Sequence, residues 1–242
     1  MTPWLAQARS EIKLALTQGE SLLVTVGIPV LLLVGFTSIK VLPLPHGVSS
    51  RAGFLVPGTI ALAIMSTGLV SQGIATAVDR SYGVLKRLGA TPLGRSGLLF
   101  AKFAAIATVE VIQIVVLMAV GLILGWTPHG NPALFVVGLI LSSLAFTGVG
   151  MTLAGTLKSE AMIGLANGIY LVLLFLGGMI FPASSLPGVV EDVAKVLPAL
   201  PTAQIFLHGI GIGGSIGIES WIALLIWAIL APLAAIKFFR WE

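Results

Sequence analysis

The sequence predicts an all-α integral membrane protein with six transmembrane helices, an N-terminal interfacial amphipathic helix and short re-entrant helices before the last span. Of the 242 residues, 57% are hydrophobic and 9% are charged, whereas soluble domains carry about 25% charged residues. The apolar residues collect into six runs of about 20 residues, the length that crosses a bilayer core as a helix. We therefore expect one transmembrane domain over residues 1–242.

The N-terminal segment, residues 1–19, predicts an amphipathic helix that lies in the membrane interface. Its apolar residues recur at helical spacing and are Trp4, Leu5, Ala8, Ile12, Ala15 and Leu16. The polar residues between them interrupt the apolar stretch that a cleaved signal peptide needs. The alternative is a frayed cytoplasmic tail, and the periodicity counts against it.

The six predicted spans cover residues of about 21–39, 54–78, 98–124, 133–157, 161–181 and 220–239. If the N-terminus lies inside, ten of the thirteen basic residues fall on the inner side of the membrane. The three on the outer side are Lys40, Arg51 and Lys195. This asymmetry follows the positive-inside rule and predicts that both termini are cytoplasmic.

The connection at residues 79–92 is polar and basic, and it predicts a short amphipathic helix on the inner side. One face would carry Val84, Leu85 and Leu88, and the other faces Arg80, Lys86 and Arg87. Thr91-Pro92 would end the helix. Such a helix suits a cytoplasmic partner. Alternatively, its positive charges only fix the topology and contact anionic lipid.

This connection resembles the corresponding loop of type-2 ABC transporter permeases, the bacterial exporters of drugs, polysaccharides and lipids. The family pattern there is acid-Arg-x-x-Gly-x-Leu-Lys-Arg-Leu-x-x-Thr-Pro. The matching residues are Asp79, Arg80, Gly83, Leu85, Lys86, Arg87, Leu88, Thr91 and Pro92. Ser81 stands where many members have a second acid. The order of elements along the whole chain also resembles the family, including Phe181-Pro182 and the outer segment 182–203.

The resemblance implies the permease subunit of an ATP-driven exporter in the bacterial inner membrane, moving a hydrophobic or amphipathic drug, lipid or glycan. The expected partners are cytoplasmic ABC ATPase subunits, which would carry ATP and Mg, a second permease of the same or a related chain, and membrane lipid. Asp79, Arg80, Leu85, Lys86, Arg87 and Leu88 would couple the permease to the ATPase. We expect no ATPase site in this chain: in the nearest P-loop-like stretch, Arg95 replaces the lysine and Pro92 removes an N–H.

Glu110 is an acid well inside a predicted span, roughly 12 Å beyond Lys102 at 1.5 Å per residue. A carboxylate at that depth is costly. We expect it to face a substrate path with Gln113, or else to be protonated and hydrogen-bonded between helices or near a dimer seam. Asn167 and Tyr170 could join the same path or simply connect helices.

Other functional classes find little support in the residues. The chain has no cysteine, and its three histidines, His46, His129 and His208, do not form the cluster that a metal site needs. No catalytic pair lies within the spans, so we expect no enzyme. We also expect no nucleic-acid partner. The alternative function is an ion-coupled secondary transporter of small hydrophobic solutes, for which Glu110 alone is thin support.

Overall fold

The computed structural model describes residues 3–17, 19–39, 44, 48, 50–89, 94–183 and 186–238. These residues are almost entirely helical and include no strand, which confirms the predicted all-α class. The α-helices are α1 (Pro3–Thr17), α2 (Gly19–Ser38), α3 (Arg51–Met65), α4 (Gln72–Ser81), α5 (Val84–Gly89), α6 (Gly94–Ile123), α7 (Pro132–Thr156), α8 (Ser159–Leu176), α9 (Gly188–Val196), α10 (Ala199–Phe206) and α11 (Ile218–Phe238).

Five continuous helical segments within the described residues are long and apolar enough to cross a membrane. They are Arg51–Ser81, Phe100–Ile123, Pro132–Thr156, Ser159–Leu176 and Ile218–Phe238, and the second to sixth predicted spans fall on them. Two bent pairs bring the total to as many as seven: α1 with α2, bent by 61°, and α9 with Ala199–Gly211, bent by 84°. The first predicted span falls on α2.

The centre of the bundle is one long rod made of α3, a π-helical turn at Ser66–Ser71, and α4. Every residue of α3 from Ala52 to Met65 is buried. Gly58 allows this central position, because a Cβ there would lie 2.0 Å from the carbonyl oxygen of Met179. The rod begins at Ser50, whose hydroxyl accepts a hydrogen bond from the backbone N–H of Gly53 at 3.3 Å, a helix N-cap.

The rod connects two ends of the bundle, which we name the α1/α5 end and the α9/α10 end. At the first, α1 packs along α6, and the rings of Trp4 and Phe100 are 6.4 Å apart. At the second, the indole of Trp126 donates a hydrogen bond to the carbonyl of Ile210 at 3.2 Å. The rod has 31 residues, so the ends lie about 46 Å apart at 1.5 Å per residue.

Candidate functional site

The polar connection between the second and third predicted spans lies at the α1/α5 end. Helix α4 ends at Ser81, Tyr82 and Gly83 form a turn, and α5 follows from Val84. Gly83 has φ +70°, a left-handed conformation that favours glycine because it has no Cβ. The N–H of Arg87 donates to the carbonyl of Gly83 at 3.2 Å, which starts the new helix.

The predicted start of the short amphipathic helix needs correction. Asp79 and Arg80 belong to the last turn of α4 and not to the short amphipathic helix, which begins four residues after Arg80. The reason is that the chain has neither glycine nor proline between Gly73 and Gly83, so the helix of the second span continues past the apolar run. Thr91 and Pro92, the predicted stop, lie outside the described residues.

Leu85 occupies a different place from the predicted one. Its side chain is 0% exposed and packs against Leu98, Met151 and Ala235 of the same chain. A side chain with no exposed surface does not contact another protein directly. This corrects the expectation that Leu85 contacts the ATPase. Leu88 lies in α5, but its side chain is outside the described part of the structure.

The solvent-facing residues of the connection form a different surface, which we name the α5 surface and define by Tyr82, Val84, Lys86 and Arg87. Tyr82 is 77% exposed and Val84 40% exposed. Lys86 and Arg87 are also exposed. This surface therefore presents one aromatic ring and one aliphatic side chain beside two positive charges.

Arg80 is directed into the bundle. Its guanidinium donates a hydrogen bond to the carbonyl of Leu157, the C-cap residue of α7. Carbonyls at a helix C-terminus lack intrahelical partners and carry partial negative charge, so an arginine there is favourable. In this structure Arg80 therefore connects α4 to the end of α7, whereas the prediction placed it at the ATPase.

Asp79 also has a partner within the chain. Its Oδ2 lies 3.0 Å from Nζ of Lys102, which is only 1% exposed and lies on α6. The same Nζ lies 3.5 Å from Oε2 of Glu11 on α1. We name these three residues the Lys102 cluster. The sequence pattern places Lys102 only among the basic residues on the inner side. A lysine next to an apolar run usually needs a partner, and this signal indicates an ion pair.

The predicted substrate-path residues on α6 are buried. Glu110 is 3% exposed, with Ser143 of α7 as a hydrogen-bonding neighbour, and its Oε1 has no hydrogen-bond partner within the described residues. Gln113 is 0% exposed. Its amide group exchanges hydrogen bonds with the hydroxyl of Thr67 at 2.9 and 3.1 Å and donates to the carbonyl of Thr25 at 3.0 Å. In this structure both residues join helices and neither faces an open path.

The other two predicted path residues lie on α8. Asn167 is exposed, and its side-chain amide donates to the carbonyl of Ile163, one turn back on the same helix, at 2.8 Å. Tyr170 is partly buried against the main hydrophobic core. None of the hydrogen bonds found among the described residues joins α8 to Glu110 or Gln113, so one chain does not assemble the four residues into one site.

No group of three metal-ligating side chains occurs in the described part of the chain. His129 and His208 both lie near the α9/α10 end, where each ring is hydrogen-bonded to a nearby backbone carbonyl, Thr127 and Gly213 respectively. His46 falls outside the described residues. The described histidines therefore support the local loops.

Residues 4–210 match the family model described as ABC-2 type transporter. The chain belongs to the ABC-2 type transporter family. The match covers α1, the central rod and the α5 surface, and it confirms the predicted type-2 ABC permease.

Three relatives illustrate the range of this family. The chain is 29% identical over 195 residues to "ABC transporter G family member 20" of Dictyostelium discoideum, covering 76% of this chain and 26% of that protein. It is 24% identical over 201 residues to "Putative transport permease YvfS" of Bacillus subtilis, covering 80% and 79%. It is 25% identical over 166 residues to "Probable multidrug ABC transporter permease YbhS" of Escherichia coli, covering 64% and 43%. The chain thus spans about a quarter of the first relative and most of the second.

Proposed function

We propose that this ABC-2 permease is the membrane subunit of an exporter that moves a hydrophobic or amphipathic substrate outward, with ATP and Mg bound on a separate ATPase subunit. The observation that carries the proposal is the α5 surface. In a chain of the ABC-2 family, it presents apolar side chains beside positive charges at one end of a membrane bundle. The substrate class, the direction and the partner all belong to the proposal.

The proposed topology has six spans, made of α2, the α3–α4 rod, α6, α7, α8 and α11. Helix α1 then lies in the inner interface, and α9 and α10 enter the outer leaflet and return. Most of the described basic residues, including Lys86, Lys158 and Lys237, belong to the α1/α5 end, whereas Arg51 and Lys195 belong to the other. The positive-inside rule then favours a cytoplasmic α1/α5 end in the bacterial inner membrane.

The α5 surface is the proposed contact with the ATPase. A tyrosine that is 77% exposed is a suitable anchor, because tyrosine is enriched among the residues that dominate binding energy. Lys86 and Arg87 beside it would meet carboxylates on the partner and mainly accelerate docking. Arg80 and Leu85 would act indirectly, since their contacts within the chain hold the turn in place. Asp79 would also act indirectly, through its ion pair with Lys102 on α6.

A second permease is proposed to cover the exposed face of α8. Gly164 and Gly168 lie one turn apart, and a Cβ built on either meets nothing within 4 Å. Small residues at this spacing let two membrane helices approach closely. Asn167 is an exposed amide near the middle of the same helix, where lipid is a poor environment for it. A substrate path that includes Asn167 and Tyr170 would then be completed by the second permease.

Purification from the membrane in mild detergent tests the proposed assembly. We expect native mass spectrometry to show two permeases with two ATPase subunits, and we expect the complex to hydrolyse MgATP. Nucleotide-independent transport by the isolated chain in liposomes would contradict the proposal and favour the ion-coupled alternative.

Cysteine cross-linking tests the α8 face, since the chain has no cysteine of its own. Gly164→Cys should cross-link two copies. Leu230→Cys on α11 is the matched control, because Leu230 is also exposed, at 58%, and should face lipid. Equal cross-linking at the two positions would count against α8 as the seam, and detection of a related second permease in place of a second copy would define a heterodimer.

A further inference from the structure

Lys102 differs from the other basic residues of the α1/α5 end. Lys13, Lys86, Lys158 and Lys237 are all exposed at the surface of the bundle. Lys102 is 1% exposed and is the largest of the fully buried side chains. A charge that only sets topology does not need such burial, so its position in the protein requires a separate explanation.

The contacts of Lys102 join three separate elements. Its Nζ lies 3.0 Å from Asp79 at the end of α4 and 3.5 Å from Glu11 on α1, while Lys102 itself belongs to α6. Glu11 is held in turn by the amide of Gln7, which donates to its Oε1 at 3.0 Å. The Lys102 cluster is therefore an ionic connection between α1, the central rod and α6.

The position of Asp79 gives this connection a direction. Asp79 is three residues before Tyr82, on the helix whose C-terminal end carries the α5 surface. The Gly83 turn joins that surface to the end of α4, where Asp79 contacts Lys102. Helix α1 packs extensively along α6, and Glu11 adds an ionic contact to this packing. The cluster thus connects the end of α4, next to the proposed ATPase contact, with α6 and α1.

We propose that Lys102 is a positioning residue that couples the α5 surface to α1 and α6, so that movement of the ATPase during its nucleotide cycle moves the interfacial helix. This inference rests on the proposed function, because it needs an ATPase at the α5 surface. Without the cluster, the ATPase still binds and hydrolyses ATP, but the movement no longer reaches α1.

A purely structural role makes a different prediction. Removing one member of a buried ion pair is destabilising, whereas replacing all members by uncharged residues of similar size is often neutral or stabilising. A triple variant, Glu11→Gln with Asp79→Asn and Lys102→Met, therefore removes the ionic connection without leaving a buried unpaired charge. If the cluster only stabilises the fold, this variant should behave like the parent protein.

The experiment uses the permease–ATPase complex with a single introduced cysteine, Ser10→Cys, on the exposed side of α1. A bimane fluorophore on this cysteine reports the surroundings of α1 with and without MgATP and vanadate. In the parent complex we expect a nucleotide-dependent shift of the emission. In the triple variant we expect bound ATPase and hydrolysis within about twofold of the parent, but no shift, because the ionic route through Lys102 is absent.

A reversed pair supplies the rescue. Asp79→Lys with Lys102→Asp, in a Glu11→Gln background, restores one ion pair with exchanged signs, and it should restore at least half of the shift. If the triple variant is poorly folded, Glu11→Gln alone provides the test, because it retains the side-chain length and removes only the more distant carboxylate; it should reduce the shift.

Three results would overturn the inference. The first is a full nucleotide-dependent emission shift in the triple variant. The second, which applies if the triple variant is poorly folded, is a full shift in Glu11→Gln. The third is a parent complex that hydrolyses ATP but shows no emission shift at α1. The proposed function stands in all three cases. Absence of any bound ATPase from the parent complex would overturn the proposed function as well, so the two failures are distinguishable.

Discussion

Two buried polar regions of α6, around Lys102 and around Glu110, lie eight residues apart, about 12 Å at 1.5 Å per residue, and differ in how their charged groups are accommodated. Lys102 has two carboxylates within 3.5 Å. Glu110 has only the neighbouring Ser143, and its Oε1 has no partner among the described residues. Near the end of the helix, neighbouring elements supply opposite charges. Farther along, they supply hydroxyl and carbonyl groups. Burial alone therefore does not determine how much a charged group contributes to stability.

The largest effect is expected at Lys102. Lys102→Met leaves the carboxylates of Asp79 and Glu11 without their buried partner. This should lower the free energy of unfolding by about 3 kcal/mol, the lower limit for a broken buried pair, because the carboxylates remain 32% and 14% exposed. Thermal unfolding in detergent measures this. Lys13→Met on the exposed side of α1 is the control and should change stability by less than about 0.5 kcal/mol. Equal stability of the two variants would mean that the Lys102 cluster is not formed in the protein.

Gln113 should give an intermediate effect. Gln113→Leu removes the partner of the buried Thr67 hydroxyl and one donor to the carbonyl of Thr25, which should cost about 1–3 kcal/mol. The same unfolding measurement applies, with Gln72→Leu as a control, because Gln72 is only partly buried and bonds within its own helix. A Gln113→Leu variant as stable as the parent would show that polar contacts in this region contribute little.

Glu110 should give the smallest effect on stability. Glu110→Gln retains the size of the side chain and its ability to bond to Ser143, so we expect a change below about 1 kcal/mol. Our prediction from the sequence is that Glu110 matters more to transport than to folding, and a transport assay of the same variant tests it. Unchanged transport and substrate range would leave Glu110 with a packing role. A loss of stability comparable to that of Lys102→Met would remove the contrast between the two regions.

The helical architecture was predictable because the apolar runs are long and the bilayer imposes their length. The continuous candidate spans fall on the predicted second to sixth spans. The end of the second span was not predictable in the same way. Hydropathy falls at Asp79, but the helix continues to Ser81, since neither glycine nor proline lies between Asp79 and Gly83. Hydropathy reports the membrane boundary, and backbone chemistry decides where a helix stops.

The site was less predictable because its contacts join distant parts of the sequence. Lys102 is 91 residues from Glu11 and 23 from Asp79, and no local pattern pairs them. The apolar face of α5 was recognised, but periodicity does not reveal which surface covers it. The structure covers Leu85 with residues of α6, α7 and α11, which leaves Tyr82 and Val84 as the exposed apolar side chains described in this connection. Tyr82 was not singled out, although an aromatic residue in a polar loop is a usable signal.

The proposed docking of an ATPase on the α5 surface is tested most directly by Tyr82→Asp. Tyr82 is 77% exposed, so the substitution should leave folding and membrane insertion unchanged. A loss of about 2 kcal/mol, typical of a binding hot spot, lowers affinity roughly 30-fold. Ser215→Asp in the exposed loop before α11 is the matched control. We predict that Tyr82→Asp loses the copurifying ATPase and that Ser215→Asp retains it. Full retention of the ATPase by Tyr82→Asp, at normal membrane levels, would contradict the assignment of this surface.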